Sequence, residues 1–143
     1  MAFDISLISD NQAEASVIAT LVYHPDFILH TDYLKPSYFY NVENGCIYWA
    51  IQELYKNGVD VIDAINITNM LNSNKAVKKK IEQYNLTDMQ DFINMSQYAC
   101  RHTLEEDKLL VNNVVTTSFK RDLNKAVLEI QSACFNSEAD LNK

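Results

Sequence analysis

Glycine and proline are nearly missing from this chain, with two of each among 143 residues. So few chain breakers exclude a β-sandwich or a doubly wound sheet, which need many tight turns and glycine-rich βα loops. Phosphate-binding loops are excluded too, because Gly45 and Gly58 cannot supply G-x-x-x-x-G-K-S/T or G-x-G-x-x-G. The three cysteines, Cys46, Cys100 and Cys134, are odd in number and far apart. That fits reduced intracellular thiols better than a disulfide framework. No run of about 18 apolar residues could span a membrane. The opening MAFDISLISDNQ lacks the basic and apolar regions of a signal peptide. These absences predict a cytoplasmic protein with no membrane partner. Basic residues are also in deficit: 12 Lys and Arg face 19 Asp and Glu, for a net charge of −7. Binding to phosphate depends on Lys and Arg displacing counterions, so direct nucleic-acid binding is not expected.

What is present points to helices. Hydrophobic residues make up 48% of the chain, enough for one domain with a real core. The stretch VENGCIYWAIQELYKN, from Val42 to Asn57, has helix signals at both ends. Asn41 stands at the N-cap position, Glu43 puts negative charge in the first turn, and Gly58 suits a left-handed C′ residue. At 100° per residue, Ile47, Tyr48, Ala50, Ile51, Leu54 and Tyr55 share a broad face, while Cys46 and Trp49 fall at the edge of the polar side. A first helix is predicted from about Asn11 to Tyr23, with Glu14 in its first turn and Ala15, Ile18, Leu21 and Val22 as its buried stripe, Val17 at the edge. PDFILH suggests a short helix after Pro25, and Asp63 caps a further one through Ile67 and Leu71. Asn72-Ser73-Asn74 breaks that helix before a basic piece from Lys75 to Tyr84. Thr87 caps a helix striped by Met89, Phe92, Ile93 and Met95. Thr103-Leu104-Glu105-Glu106 has the form of a capping box. From there helical character persists to about Phe135, with Val111, Val115, Phe119, Leu123, Ala126 and Ile130 along one side in a near-heptad rhythm. The fold class is all-α: a helical head over 1–102, a long helix over 103–136, and a loop with a fresh cap from 137 to 143.

No constellation for catalysis stands out, so these residues are not read as an enzyme. His24, His30 and His102 lack the H-x-x-x-H spacing of zinc ligands, and Cys100-Arg101-His102 is no zinc signature. The acidic run Glu105-Glu106-Asp107 is read as a solvated face matching the helix dipole. Lys78, Lys79 and Lys80 point in three directions around a helix and are read as solvated surface. Trp49, among Gln52, Glu53 and Lys56, is either covered by another segment or a partner-binding anchor.

The order of features resembles the N-terminal domain of DnaB-family replicative DNA helicases. The run from Asn11 to Pro25 is similar to the family's opening, a Glu-led amphipathic helix closed by a proline. Leu34-Lys35-Pro36-Ser37-Tyr38-Phe39-Tyr40 resembles its L-x-P-x-x-F-Y segment. Ile47-Tyr48-Trp49-Ala50-Ile51, then Leu54-Tyr55 and Gly58, resembles its central helix and terminal glycine, and Ile62-Asp63 followed by Leu71 resembles the next element. The likeness runs from about Asn11 to Asn136. Departures include Asn44-Gly45 where the family usually has His-Arg, and Trp49 where it has a polar residue. They suggest a divergent member, as from a phage or mobile element.

The resemblance implies a non-catalytic head and helical hairpin whose pairing builds a collar of dimers on a hexameric motor ring. It implies docking of the primase C-terminal domain, and in some systems a loader. The helix from Thr103 would be the first hairpin arm, with Val111, Val115, Phe119, Leu123 and Ile130 as the self-association stripe; the second arm would begin near Ser137. ATP and Mg are expected only in a motor domain, and no cofactor in this chain. The competing readings are a stand-alone helicase mimic or regulator that captures a helicase or primase, and an unrelated helical regulator that touches nucleic acid.

Overall fold

The computed structural model describes residues 11–84 and 103–141, with side chains for 12–84 and 103–135. Its elements are α1 (Asn11–Tyr23), 3-10 turns at Pro25–His30 and Pro36–Tyr38, α2 (Val42–Lys56), α3 (Ala64–Ser73), α4 (Lys75–Gln83) and α5 (Leu104–Leu141). Among the described residues there is no strand. The all-α fold expected from the scarcity of glycine and proline is the fold observed. The predicted lead-in before Asp10, the Thr87 helix with Met89, Phe92, Ile93 and Met95, and the residues Cys100 and His102 lie outside the described residues.

Helix starts follow short polar side chains. The Asn41 side chain accepts from the Glu43 and Asn44 amides at 2.9 and 3.4 Å. Asp63 accepts from Asn66 N–H at 2.8 Å, and Asn74 from Ala76 and Val77 at 3.0 and 3.1 Å. Thr103 Oγ1 accepts from Glu106 N–H at 3.2 Å at the start of α5. Each satisfies amides that a helix N-terminus leaves without an internal partner. α2 ends in a Schellman motif: Gly58 N–H bonds the Tyr55 carbonyl and Val59 N–H the Leu54 carbonyl, both at 3.1 Å. The φ of Gly58 is 74°, the left-handed value this closure needs.

α1 and α2 pack against each other and share the core. α2 also packs on α3, and α1 on α5. Ile47, Tyr48, Ala50, Ile51 and Leu54 are buried as the α2 wheel predicts, and Cys46 is buried with them. α1 is covered more fully than a single stripe would be. Ala13, Glu14, Val17, Ala19 and Thr20 are buried beside Ile18, Leu21 and Val22, because α2 and α5 lie on different sides of it. Ala15, expected in the stripe, is only half-buried.

α5 is 38 residues long, about 57 Å at the α-helical rise. It stays helical to Leu141, through the stretch after Asn136 where the sequence predicts a loop and a new cap. Ser137, Glu138 and Ala139 include no glycine or proline to interrupt the ladder. Its first part belongs to the core: Val111 and Val114 are fully buried, Asp107 and Ser118 nearly so. From Asp122 to Phe135 the side chains are exposed, apart from a half-buried Asn124. The helix therefore starts inside the head and leaves it.

Candidate interaction surfaces

The root of α5 is held by polar contacts as well as by packing. Thr20 Oγ1 on α1 lies 3.1 Å from Asp107 Oδ1 and 2.9 Å from the Ser16 carbonyl. Asp107 is 5% exposed, so one member of the acidic run is not solvated, contrary to its sequence reading; Glu105 and Glu106 are exposed. The helix dipole accounts for the two exposed carboxylates, whereas Asp107 faces α1. Farther along, Tyr33 Oη and Asn112 Oδ1 are 3.1 Å apart. Arg121 donates to the Tyr38 carbonyl, and its guanidinium carbon lies 5.4 Å from the centre of the Tyr40 ring. Arg121 thus ties the helix to the head beyond its buried root.

From Phe119 onward the helix carries an uncovered apolar surface. Phe119, Leu123 and Ile130 are 66, 54 and 63% exposed. Val127, Leu128 and Phe135 are exposed with them. Burying a Phe or Leu side chain is worth about 1.5–3 kcal/mol, so this surface has much to gain from a partner. The predicted stripe divides here. Val111 is fully buried within the head and is not available to a second copy, and Val115 is half-buried against the core. Phe119, Leu123 and Ile130 share the exposed length. A heptad pattern reads the same whether its cover comes from its own chain or another, so spacing could not mark where one changes to the other.

Trp49 is half-buried and packed against the core. It lines an open groove of about 420 Å³ between α2, α4 and the 3-10 turn at Pro36–Tyr38, with Phe39, Val42 and Val77 beside it and Lys80 at the edge. Gly45 lines the groove where a side chain would not fit: a Cβ there would lie 2.8 Å from the Pro36 carbonyl oxygen. The Cys46 thiol also lines it. Burial pushes that thiol up, against the opposing charge of Lys80 and with the help of Glu43, so it stays protonated and a poor nucleophile at neutral pH.

Two buried polar centres hold the head together. Glu14, fully buried, accepts from the Tyr40 and Asn41 amides at 2.8 and 3.1 Å and from Asn44 Nδ2 at 3.3 Å. It lies in the first turn of α1, as the sequence predicts, and its carboxylate also binds the amides of the chain entering α2. The Tyr48 hydroxyl lies 3.0 Å from Thr31 Oγ1 and 3.3 Å from the Thr31 and Leu34 carbonyls, and burial raises its pKa. A second opening of about 280 Å³ lies near Thr20, His24, His30 and Asp107. Among the described residues no three His, Cys, Asp or Glu side chains are grouped to hold a metal ion. No helix among them is long and apolar enough to cross a membrane.

The described residues define an all-α domain: a helical head and one long helix that leaves it with apolar side chains exposed. A family model, the DnaB-like helicase N-terminal domain, matches residues 6–104, and the chain belongs to that family. This domain is the non-catalytic part of a DNA-replication helicase, a protein that works as an oligomer. No curated protein matches the chain. The match ends where α5 begins, so the departing helix lies outside the matched residues.

Proposed function

We propose that this chain is the N-terminal module of a replicative DNA helicase, supporting assembly of the hexamer and docking a primase or loader. The observation that carries the reading is α5: anchored at its root by Val111, Val114 and Asp107, it presents Phe119, Leu123 and Ile130 to solvent. Two copies laid arm to arm bury those side chains, and the anchored root sets the angle at which the heads sit. The head supplies the docking surface, with Trp49 as its aromatic anchor. The module works in the cytoplasm. ATP and Mg act in a motor domain, and these residues contribute geometry to the ring, not chemistry.

The test is solution mass by sedimentation equilibrium for the chain and for Phe119→Ala. A packed Phe truncated to Ala costs about 3 kcal/mol or more at an interface. The variant should dissociate at concentrations where the parent is a dimer, while its far-UV circular dichroism and denaturation midpoint report an intact head. Equal masses for the two proteins would refute arm-to-arm pairing.

A further inference from the structure

The helix bordering the Trp49 groove concentrates positive charge in an acidic chain. In a chain of net charge −7 with 12 basic residues, four of the lysines, Lys75, Lys78, Lys79 and Lys80, sit on one short helix. All four are exposed, and none makes an ion pair among the described residues. Val77 faces inward with Ile81 and lines the groove, which puts Lys80 on its edge; Lys75, Lys78 and Lys79 point elsewhere around α4 and add to the positive field of the helix. The walls are apolar: Phe39, Val42, Trp49 and Val77. Gly45 keeps the surface between them free of a side chain.

We propose that this groove is a docking site for an acidic amphipathic helix of a partner protein. The apolar face of such a helix lies against Trp49, Phe39 and Val77, and carboxylates on its flank meet Lys80 within the field of the other α4 lysines. The mode is that of a helix in a groove, with one aromatic anchor and a charged rim. Charge complementarity selects the occupant. A second copy of this acidic chain brings net repulsion, and the exposed length of α5 carries Lys120 and Lys125 against Asp122 and Glu129, with no acidic excess to offer. A basic helix meets four uncompensated lysines. The inference rests on reading Trp49 as a partner anchor and is independent of pairing through α5.

Selection from a randomised library of single-helix peptides against the intact chain tests it. Trp49 is the only tryptophan, so its emission reports directly on the groove. The enriched peptides should carry Asp and Glu beside an apolar face, shift Trp49 emission to the blue and bind more weakly as salt rises. Lys80→Glu changes an exposed residue at the groove and should weaken them about tenfold, since like charges then face each other. Enriched peptides that are neutral or basic, yet still shift Trp49, would overturn the acidic chemistry and leave the anchor standing. Enriched peptides that leave Trp49 emission unchanged would overturn the anchor as well. Tighter binding of a single-stranded oligothymidylate at Trp49 would assign the lysines to phosphate and overturn the proposal.

Discussion

Glu14 shows how much a single side chain can decide in a small helical head. Its carboxylate ties α1 to the chain entering α2 through two backbone amides and the Asn44 side chain. Asn44 is itself buried, and its Oδ1 has no hydrogen-bond partner. That oxygen is an unused acceptor, but Glu14 is the acceptor that the Tyr40 and Asn41 amides and Asn44 Nδ2 bond, and removing its carboxylate takes that partner from all three. Glu14→Ala should cost about 3 kcal/mol or more, because it leaves buried donors unpaired. Glu14→Gln retains one acceptor oxygen and should cost less, about 1–2 kcal/mol. Urea denaturation of the three proteins checks the order; equal midpoints for Ala and Gln would show that the carboxylate does not hold this junction. The role was not legible in the sequence. An acid three positions into a helix complements that helix's own dipole, and only the tertiary arrangement reveals that it serves another.

At the scale of elements, α2 was legible almost completely and α5 only in part. Asn41, Gly58 and the Ile47–Leu54 face are local signals, each read within a turn or two of the residue that makes it. The extent of α5 was less legible, since weak helix breakers such as Asn136 and Ser137 do not oblige a helix to end. The two glycines at the ends of α2 separate local from non-local requirements. Gly58 has a positive φ and nothing within 4 Å of a built Cβ. Gly58→Ala should thus cost about 1–2 kcal/mol, the intrinsic penalty of a left-handed residue. Gly45 sits in ordinary helix, where Ala is intrinsically favoured by about 1 kcal/mol. Its added methyl meets the Pro36 carbonyl at 2.8 Å and must displace the 3-10 turn that borders the Trp49 groove. Gly45→Ala should therefore change Trp49 emission, whereas Gly58→Ala should not. A stabilised Gly45→Ala protein with parental emission would show that the turn yields freely.

For the whole molecule, charge distinguishes the two proposed surfaces by the sign of their salt dependence. Each copy carries −7, so two heads brought together repel. The seam that joins them is apolar, and the arm charges around it are of both signs. Salt screens the repulsion, with a Debye length of about 10 Å at 0.1 M, and leaves the apolar burial intact. Self-association should strengthen as salt rises from about 0.01 to 0.3 M, a span that shortens the Debye length several-fold. The groove should respond in the opposite direction, because an acidic helix is drawn to Lys80 and the other α4 lysines through the same screened field. Sedimentation and Trp49 emission, measured across one salt series, read both responses on the same protein. If association instead weakened with salt, ion pairs would dominate the dimer contact and the apolar arm would not be its seat. Net charge is legible from composition, but which surface feels it is not: that depends on where the fold collects four lysines and where it leaves Phe119, Leu123 and Ile130 uncovered.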